Sequence, residues 1–359
     1  MQFQPGAPTR VNGLNQTTLG ALFAAILVVL FLIGRYLPVI GTIAMFFCPV
    51  PLVLMHVRFG NIKNTALVAL VATALVSIMT GSPFSAFFFL IGVGLQGIVL
   101  AYMIGARKSA LSTIFVCALS VMASTVTLLL VAAPLMEMDL SVKKQLEVMS
   151  ETFKKAGEAN VESLKKSGAS EEQIKNMEQF YSQAAEAVRG MYIYAPLFLL
   201  GSALISAFIN YMAAAVVLRR LNCEVPPLPE FKLWRVHWTV IWVFICGLLL
   251  INLTGGGAGE RTGAAKYLGL IGHNINGAFL MLFFINGLAV VHFYMVHFKV
   301  NMAARMFLYF LIFFHPLFYM AVLFSGLADP WIDIRRLDTP QTPDSNGTDD
   351  NSNEGGLDK

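Results

Sequence analysis

The segment from Glu137 to Arg189 reads EMDLSVKKQLEVMSETFKKAGEANVESLKKSGASEEQIKNMEQFYSQAAEAVR and is the one long charged stretch in an otherwise apolar chain. Apolar residues recur along it at helical spacing. They are Leu146, Met149, Phe153 and Ala156 in the first half, and Ile174, Met177, Tyr181, Ala184, Val188 and Met191 in the second. A break at residues 167–170 separates the halves, and Ser170 with Gln173 forms a capping box that starts a new helix. The pattern predicts two amphipathic helices folded back as a hairpin outside the membrane.

The composition around this hairpin is that of an integral membrane protein. The chain is 57% hydrophobic and 13% charged, with a mean hydropathy of +0.67, whereas soluble domains have about 25% charged residues. Its basic residues lie in short loops, where they orient helices, so the net charge of +4 does not indicate nucleic-acid binding. The lipid bilayer is therefore the expected partner. The four scattered cysteines have no CxxC spacing, so we expect neither a metal site nor a disulfide framework. We also expect no cofactor.

Apolar runs of membrane-spanning length lie on both sides of the hairpin. The predicted spans are residues 17–34, 37–56, 64–80, 84–106, 109–135, 191–218, 236–253, 267–296 and 302–327. The second contains Pro49 and Pro51, so it is expected to be kinked or partly re-entrant. The predicted fold class is an all-α polytopic helical bundle of about nine spans, or eight if this run is re-entrant.

The domain boundaries follow from these runs and from composition. The predicted order is a polar cytoplasmic arm (1–16), five membrane helices (17–136), the hairpin (137–190), a sixth membrane helix (191–218), a proline-rich inner loop (219–235), three further membrane helices (236–327) and an acidic tail expected to be disordered (328–359).

Lysine and arginine in the short loops set the orientation. With the N-terminus inside, most of these bases collect on the inner side, which predicts a multi-pass protein of the inner (cytoplasmic) membrane with a cytoplasmic N-terminus and an outer hairpin. One conflict remains in this assignment. Nine spans place the C-terminal tail outside, whereas Arg335 and Arg336 favour the inside.

Polar side chains inside the spans are candidate ligand-binding residues because such groups are costly in a bilayer. They are Gln96, Thr113, Ser120, Ser202, Ser206, Asn210 and His315. The Ser and Thr residues follow single helix faces, which indicates either a small polar cavity or close helix packing. The side-chain amides of Gln96 and Asn210 need hydrogen-bond partners inside the bilayer. Lining a polar cavity and packing between helices both stay open for these two residues. His315 precedes Pro316 at an expected kink, where ligand contact and an ordinary buried histidine are both open.

No segment of the sequence carries a catalytic motif. It has no HExxH, no Ser-His-Asp arrangement and almost no carboxylate at membrane depth, so we do not expect an enzyme. The glycine-rich run at 255–259 lacks the ending of a phosphate loop and is interpreted as a flexible outer loop. His273, Asn274 and Asn276 open the eighth span and are interpreted as interface residues.

Three short motifs resemble those of a known family. They are the run Pro226-Pro227-Leu228-Pro229-Glu230-Phe231 followed by Trp234, the stretch Asn286-Gly287-Leu288-Ala289-Val290-Val291, and the closing run from Gly326 to Arg336, GLADPWIDIRR. With these motifs the chain resembles the YybS-like family of bacterial polytopic membrane proteins, a domain of unknown function, over most of residues 17–337. The resemblance implies a membrane location and little biochemistry.

Residues 17–130 also resemble the start of the substrate-binding S component of energy-coupling-factor vitamin transporters. The similarity lies in Ala21-Leu22-Phe23-Ala24-Ala25, Leu37-Pro38, the Pro49/Pro51 run ending at Arg58-Phe59-Gly60, and the glycine-rich fourth span. It implies that Ala21 and Ala25 face a coupling membrane subunit, which works with an ATPase, and that outer loops close over a bound small molecule. Three helices after the sixth have no counterpart in that family.

Two functions follow from this sequence. The first is binding or uptake of a small molecule through an S-component-like helical core, with the hairpin as a lid over its outer mouth. The alternative is a structural or regulatory membrane protein whose hairpin and acidic tail dock cell-envelope partners while the polar faces only pack helices.

Overall fold

A computed structural model describes residues 16–135, 141–255 and 263–337. These residues are helical with no β-strand among them, which confirms the predicted all-α fold class. The helices of the first half are α1 (Gln16–Tyr36), α2 (Pro38–Phe47), α3 (Val50–Phe59), α4 (Ile62–Thr80), α5 (Pro83–Phe89), α6 (Leu95–Gly105) and α7 (Ala110–Leu135). Those of the second half are α8 (Val142–Lys166), α9 (Glu171–Gly190), α10 (Ala195–Arg220), α11 (Val240–Leu253), α12 (Ala264–His297), α13 (Met302–Phe314) and α14 (Pro316–Ile332).

Three sequence predictions fall wholly or largely outside the described residues. They are the N-terminal arm, the glycine-rich loop and the acidic tail. The tail boundary predicted at residue 328 differs from the structure, because α14 continues to Ile332 and the Asp329 side chain is fully buried. Residues 328–332 therefore belong to α14 and not to the tail.

Seven helices of the described chain are long and apolar enough to cross a membrane, or eight if the bent pair α13–α14 counts as one span. The predicted run around Pro49 and Pro51 is one of the seven, since α2 and α3 together form a 22-residue span. Both prolines lie where α3 begins, a position that needs no backbone N–H donor. The predicted spans that differ most from a continuous membrane helix are instead α11, which is only 14 residues long, and α13–α14, which is broken by a 97° bend. The count of nine spans stays a prediction.

The described residues divide into two compact units. The first comprises the described residues within Met1–Leu228 and Ile251–Asn274, and the second comprises the described residues within Pro229–Leu250 and Ile275–Lys359.

Two apolar clusters form the core of the first unit. One joins α1, α3, α4 and α5, where Phe31 and Phe89 meet edge to face with ring centroids 5.0 Å apart. The other joins α3, α6, α7 and α10. In it α10 presents Ala203, Ala207 and Ala214, small side chains that let neighbouring helix backbones approach closely.

Helices α8 and α9 pack against each other in antiparallel order. Ser150 Oγ donates to the Ala185 carbonyl at 2.8 Å near one end, and Lys165 Nζ lies 3.4 Å from a Glu178 carboxylate oxygen near the other. The capping box at Ser170 is present, with both of its hydrogen bonds made. The turn between the helices contains Gly168 at φ +75°, a left-handed conformation that glycine adopts without strain.

The second unit contains a close helix crossing. A Cβ atom added to Gly287 of α12 would overlap the Val322 carbonyl oxygen, and one added to Gly326 of α14 would overlap the Phe283 carbonyl oxygen. Asn286 Nδ2 donates to the Gly326 carbonyl at 2.8 Å at the same crossing. The two glycines are therefore required for the backbones of α12 and α14 to touch.

Candidate functional sites

The hydroxyl groups among the predicted ligand-binding residues are mostly used by their own helices. Thr113 Oγ1 donates to the Ser109 carbonyl at 2.9 Å, Ser120 Oγ to the Cys117 carbonyl at 2.8 Å, and Ser202 Oγ to the Leu199 carbonyl at 2.9 Å. Ser202 is also exposed. Because these three hydroxyl groups donate to carbonyls of their own helices, they can pack against neighbouring helices but do not donate to a ligand.

The two amides are buried and incompletely satisfied. Gln96 is 7% exposed, and its Nε2 has no hydrogen-bond partner among the described residues. Asn210 is 4% exposed, and its Nδ2 reaches Ser206 Oγ at 3.4 Å while Oδ1 has no partner in the described chain. Each unpaired group costs about 1–3 kcal/mol. Convergence of these residues on one cavity stays a prediction.

His315 lies at the break between α13 and α14 and is exposed. Its Nδ1 accepts a hydrogen bond from the Leu317 backbone N–H at 3.3 Å, so the ring caps the first turn of α14. The expected kink is present, and the side chain predicted to bind a ligand serves as a helix cap.

The two alanines of α1 lie on one exposed face. Ala21 and Ala25 are exposed, as are Leu22 and Ile26 beside them, whereas Phe23 is buried in the first core. This face of α1 is open to lipid or to a neighbouring helix.

A cavity of about 440 Å³ lies in the first unit at the base of the hairpin. The first turn of α8, the 3₁₀ turn Met191–Tyr194, the start of α10 and the first turns of α12 form its walls. Its charged, aromatic and proline side chains are those of Lys143, Tyr192, Pro196, Lys266, Tyr267 and His273. Its volume is within the range of about 300–1,000 Å³ that small-molecule sites occupy.

Asn274 holds the walls of this cavity together. Its Nδ2 donates to the Ile193 carbonyl at 2.7 Å and to the Leu270 carbonyl at 2.8 Å, and its Oδ1 accepts from the Leu197 N–H at 3.0 Å. One side chain of α12 thereby fixes the turn that leads from the hairpin into α10. The Tyr194 and His273 rings, 6.1 Å apart and nearly perpendicular, add a second contact between the same segments.

The lining combines positive charge with apolar and aromatic surface. Lys143 Nζ lies 6.0 Å from the centroid of the Tyr192 ring, a cation–π distance, and Lys266 supplies a second ammonium group. None of the described lining residues is acidic. A site of this kind favours a molecule that carries a negative charge on a partly apolar body.

The sequence does not predict this cavity. It indicates an interface role for His273 and Asn274 and gives no role to Lys143. The contact that assembles the site joins Asn274 to Ile193, 81 residues apart, and no local periodicity reports such a pair. The one available signal was the cluster of polar residues that opens the eighth span.

A second polar cluster is buried in the second unit. Arg335 Nε and Nη2 donate to the two carboxylate oxygens of Asp329 at 3.3 and 2.7 Å, and both side chains are 0% exposed. Arg335 also donates to Asn286 Oδ1 at 3.3 Å and to the Lys232 carbonyl at 2.7 Å. A guanidinium group with this many protein partners holds segments together and leaves little for a ligand. The cluster joins two of the motifs that resemble the YybS-like family, Asn286 from one and Asp329 with Arg335 from another.

Comparison with known proteins agrees with that resemblance. The family model described as "Predicted membrane protein (DUF2232)" matches residues 25–330. "Uncharacterized protein YybS" of Bacillus subtilis strain 168 is 25% identical over 324 residues, which cover 88% of this chain and 96% of that protein. No solved structure matched the chain. With its multiple apolar helices and this match, the chain is a multi-pass membrane protein that belongs to the DUF2232 family.

Proposed function

We propose that this membrane protein binds a small molecule with an anionic group and an apolar or aromatic body in the cavity at the base of the hairpin. One observation carries the proposal, namely the placement of two ammonium groups and two tyrosine rings around a single cavity of about 440 Å³. The ammonium groups would attract the anion, and the apolar walls would hold its body.

The hairpin takes part in this site directly. Val142 and Lys143 from its first turn form one wall, and α9 continues through the 3₁₀ turn into α10. The space around a Cβ atom at Gly190 is open, so the chain could bend there. Motion of α8 and α9 about Gly190 would widen or close the cavity, as lids do in other binding proteins. In this proposal the hairpin, which the sequence predicts as a lid over the outer mouth of the bundle, would act as a movable wall of the cavity.

Uptake is a second candidate function, favoured by the exposed face of α1. Ala21 and Ala25 stand there beside exposed apolar residues, as the resemblance to S components implies for a surface that meets a coupling subunit. Uptake would need that subunit and an ATPase in addition to the binding site.

The lysine pair provides the first test. Replacing both Lys143→Gln and Lys266→Gln should weaken binding about tenfold, because each exposed charge contributes about 0.2–1 kcal/mol and roughly 1.4 kcal/mol changes affinity tenfold. The measurement is calorimetric titration in nanodiscs of zwitterionic lipid. Two probes, phenyl phosphate and dihexanoyl phosphatidic acid, distinguish a dissolved anion from a lipid headgroup.

The matched control is the double variant Lys155→Gln with Lys175→Gln, which removes the same charge farther along the hairpin. It should bind like the unmodified protein. Equal affinities in the two double variants, or binding of neither probe, would refute the proposed site and favour the role in docking envelope partners.

A further inference from the structure

The pair α13–α14 begins beside the end of α12. Only four residues separate His297 from Met302. Arg305 Nε donates to the Val300 carbonyl at 2.8 Å, and its Nη2 donates to the Met295 carbonyl at 3.4 Å. These bonds fix the start of α13 at the same end of the second unit as the C-terminus of α12.

From there α13 runs back along α12. His292 Nδ1 lies 2.9 Å from the Tyr309 hydroxyl, and the Phe284 and Phe313 rings have centroids 5.8 Å apart. The contacts on α12 therefore move from Met295 to Phe284. At 1.5 Å per residue this is about 16 Å, roughly half of a hydrocarbon core of about 30 Å.

The chain then stops running along α12. His315 adopts an extended conformation with φ −115° and ψ 119°, and the axis turns by 97°. After the break the Tyr319 ring lies against the Phe284 ring, tilted by 30° and with centroids 4.7 Å apart, so α14 begins at the depth that Phe313 had already reached. Gly326 packs against the backbone of both Phe283 and Gly287, so α14 crosses α12 at this depth.

The chain finally returns to the end from which it started. The Tyr294 hydroxyl donates to the Ile334 carbonyl at 2.7 Å, and Arg335 donates to the Lys232 carbonyl at 2.7 Å. Lys232 belongs to the loop before α11, and the neighbouring Phe231 ring lies 5.7 Å from the His292 ring near the end of α12. The segment after α14 thus lies beside that loop.

We infer that α13 and α14 form a re-entrant helix pair, which enters and leaves the membrane on one face and returns the C-terminus to the side of the 229–239 loop. Between Lys232 and Arg335 the chain then crosses twice, through α11 and α12, and the pair adds no crossing. The buried Asp329–Arg335 ion pair with Asn286 fastens the returning end.

This topology removes the conflict in the loop charges. Six crossings precede the proline-rich loop and two follow it, so the chain crosses eight times, and Arg335 and Arg336 share the basic side with Lys232 and Lys299. The re-entrant segment lies at His315-Pro316 and not at Pro49/Pro51. The irregular backbone at the break is satisfied within the pair, because the His315 N–H donates to the Leu311 carbonyl at 2.9 Å and the Leu317 N–H donates to His315 Nδ1 at 3.3 Å.

Cysteine labelling tests the re-entrant pair. In a background with Cys48, Cys117, Cys223 and Cys246 replaced by serine, one cysteine is placed by Glu230→Cys, by Ser167→Cys, or after Lys359. Each variant is checked for a monodisperse elution profile and then treated with an impermeant maleimide in intact cells and in inverted vesicles. The cysteine after Lys359 should react in the same preparation as Glu230→Cys and not in that of Ser167→Cys. Reaction in the preparation that labels Ser167→Cys would mean an odd number of crossings between Glu230 and the C-terminus, and the inference would be wrong.

Discussion

Replacing Arg335 by methionine should destabilise the protein far more than the loss of an exposed charge would. It leaves the Asp329 carboxylate fully buried without a cationic partner, and breaking a buried ion pair in this way costs about 3–5 kcal/mol. The Lys232 carbonyl and Asn286 Oδ1 lose a donor as well. We expect the melting temperature of the detergent-solubilised protein to fall by on the order of 10 °C.

Arg336→Met is the matched control, because Arg336 is the exposed neighbour of Arg335 and its loss should change the melting temperature little. The double variant Asp329→Leu with Arg335→Met removes both charges and should recover much of the loss, since a well-packed apolar pair can replace a buried ion pair. If Arg335→Met and Arg336→Met have the same melting temperature, the cluster does not fasten the C-terminal segment.

Gly326→Ala should disrupt the crossing of α12 and α14. The added methyl group would overlap the Phe283 carbonyl oxygen and the backbone of Gly287, and neither is the flexible end of a side chain. The helices must separate, which stretches the bond from Asn286 to the Gly326 carbonyl. Overpacking of this kind costs about 1–3 kcal/mol, and more where backbone must move.

Protease resistance and yield of monodisperse protein measure the effect of Gly326→Ala. Gly201→Ala is the control, because the space around a Cβ atom at Gly201 of α10 is open and alanine favours the helix. We expect Gly326→Ala to be cleaved faster within residues 275–337 while Gly201→Ala behaves like the unmodified protein. Equal resistance of the two variants would show that the close glycine contact is not required.

Local features of the fold were predictable because local sequence determines them. The helical spacing on both sides of Gly168 and the capping box at Ser170 each depend on residues close together in the sequence, and the structure contains both. Helices also occupy the predicted apolar runs, although α11 is short and α13–α14 is bent. The kink at His315-Pro316 was also expected from the proline. Its angle of 97° was not expected, because the angle depends on how α14 packs against Phe284 and Gly287 of α12.

The features that sequence reasoning missed depend on distant partners. Asp329 and Arg335 follow the end of an apolar run, so their composition resembled the start of a polar tail, and only their contacts with Asn286 and the Lys232 carbonyl reveal a buried cluster. The cavity at the hairpin base likewise needs Asn274 and Ile193 to meet. Polar stripes in the spans were visible in the sequence, but whether a hydroxyl serves its own helix or a ligand depends on its rotamer.

Native mass spectrometry of protein extracted gently from its own membrane is the decisive test of the proposed binding function. We expect a bound molecule of defined mass with an anionic group, present on the unmodified protein and on the Lys155→Gln/Lys175→Gln control and largely lost from Lys143→Gln/Lys266→Gln. Fragmentation of the released molecule then identifies it as a lipid or a dissolved metabolite. A protein that carries no such molecule, or carries it equally in both double variants, would contradict the proposed function.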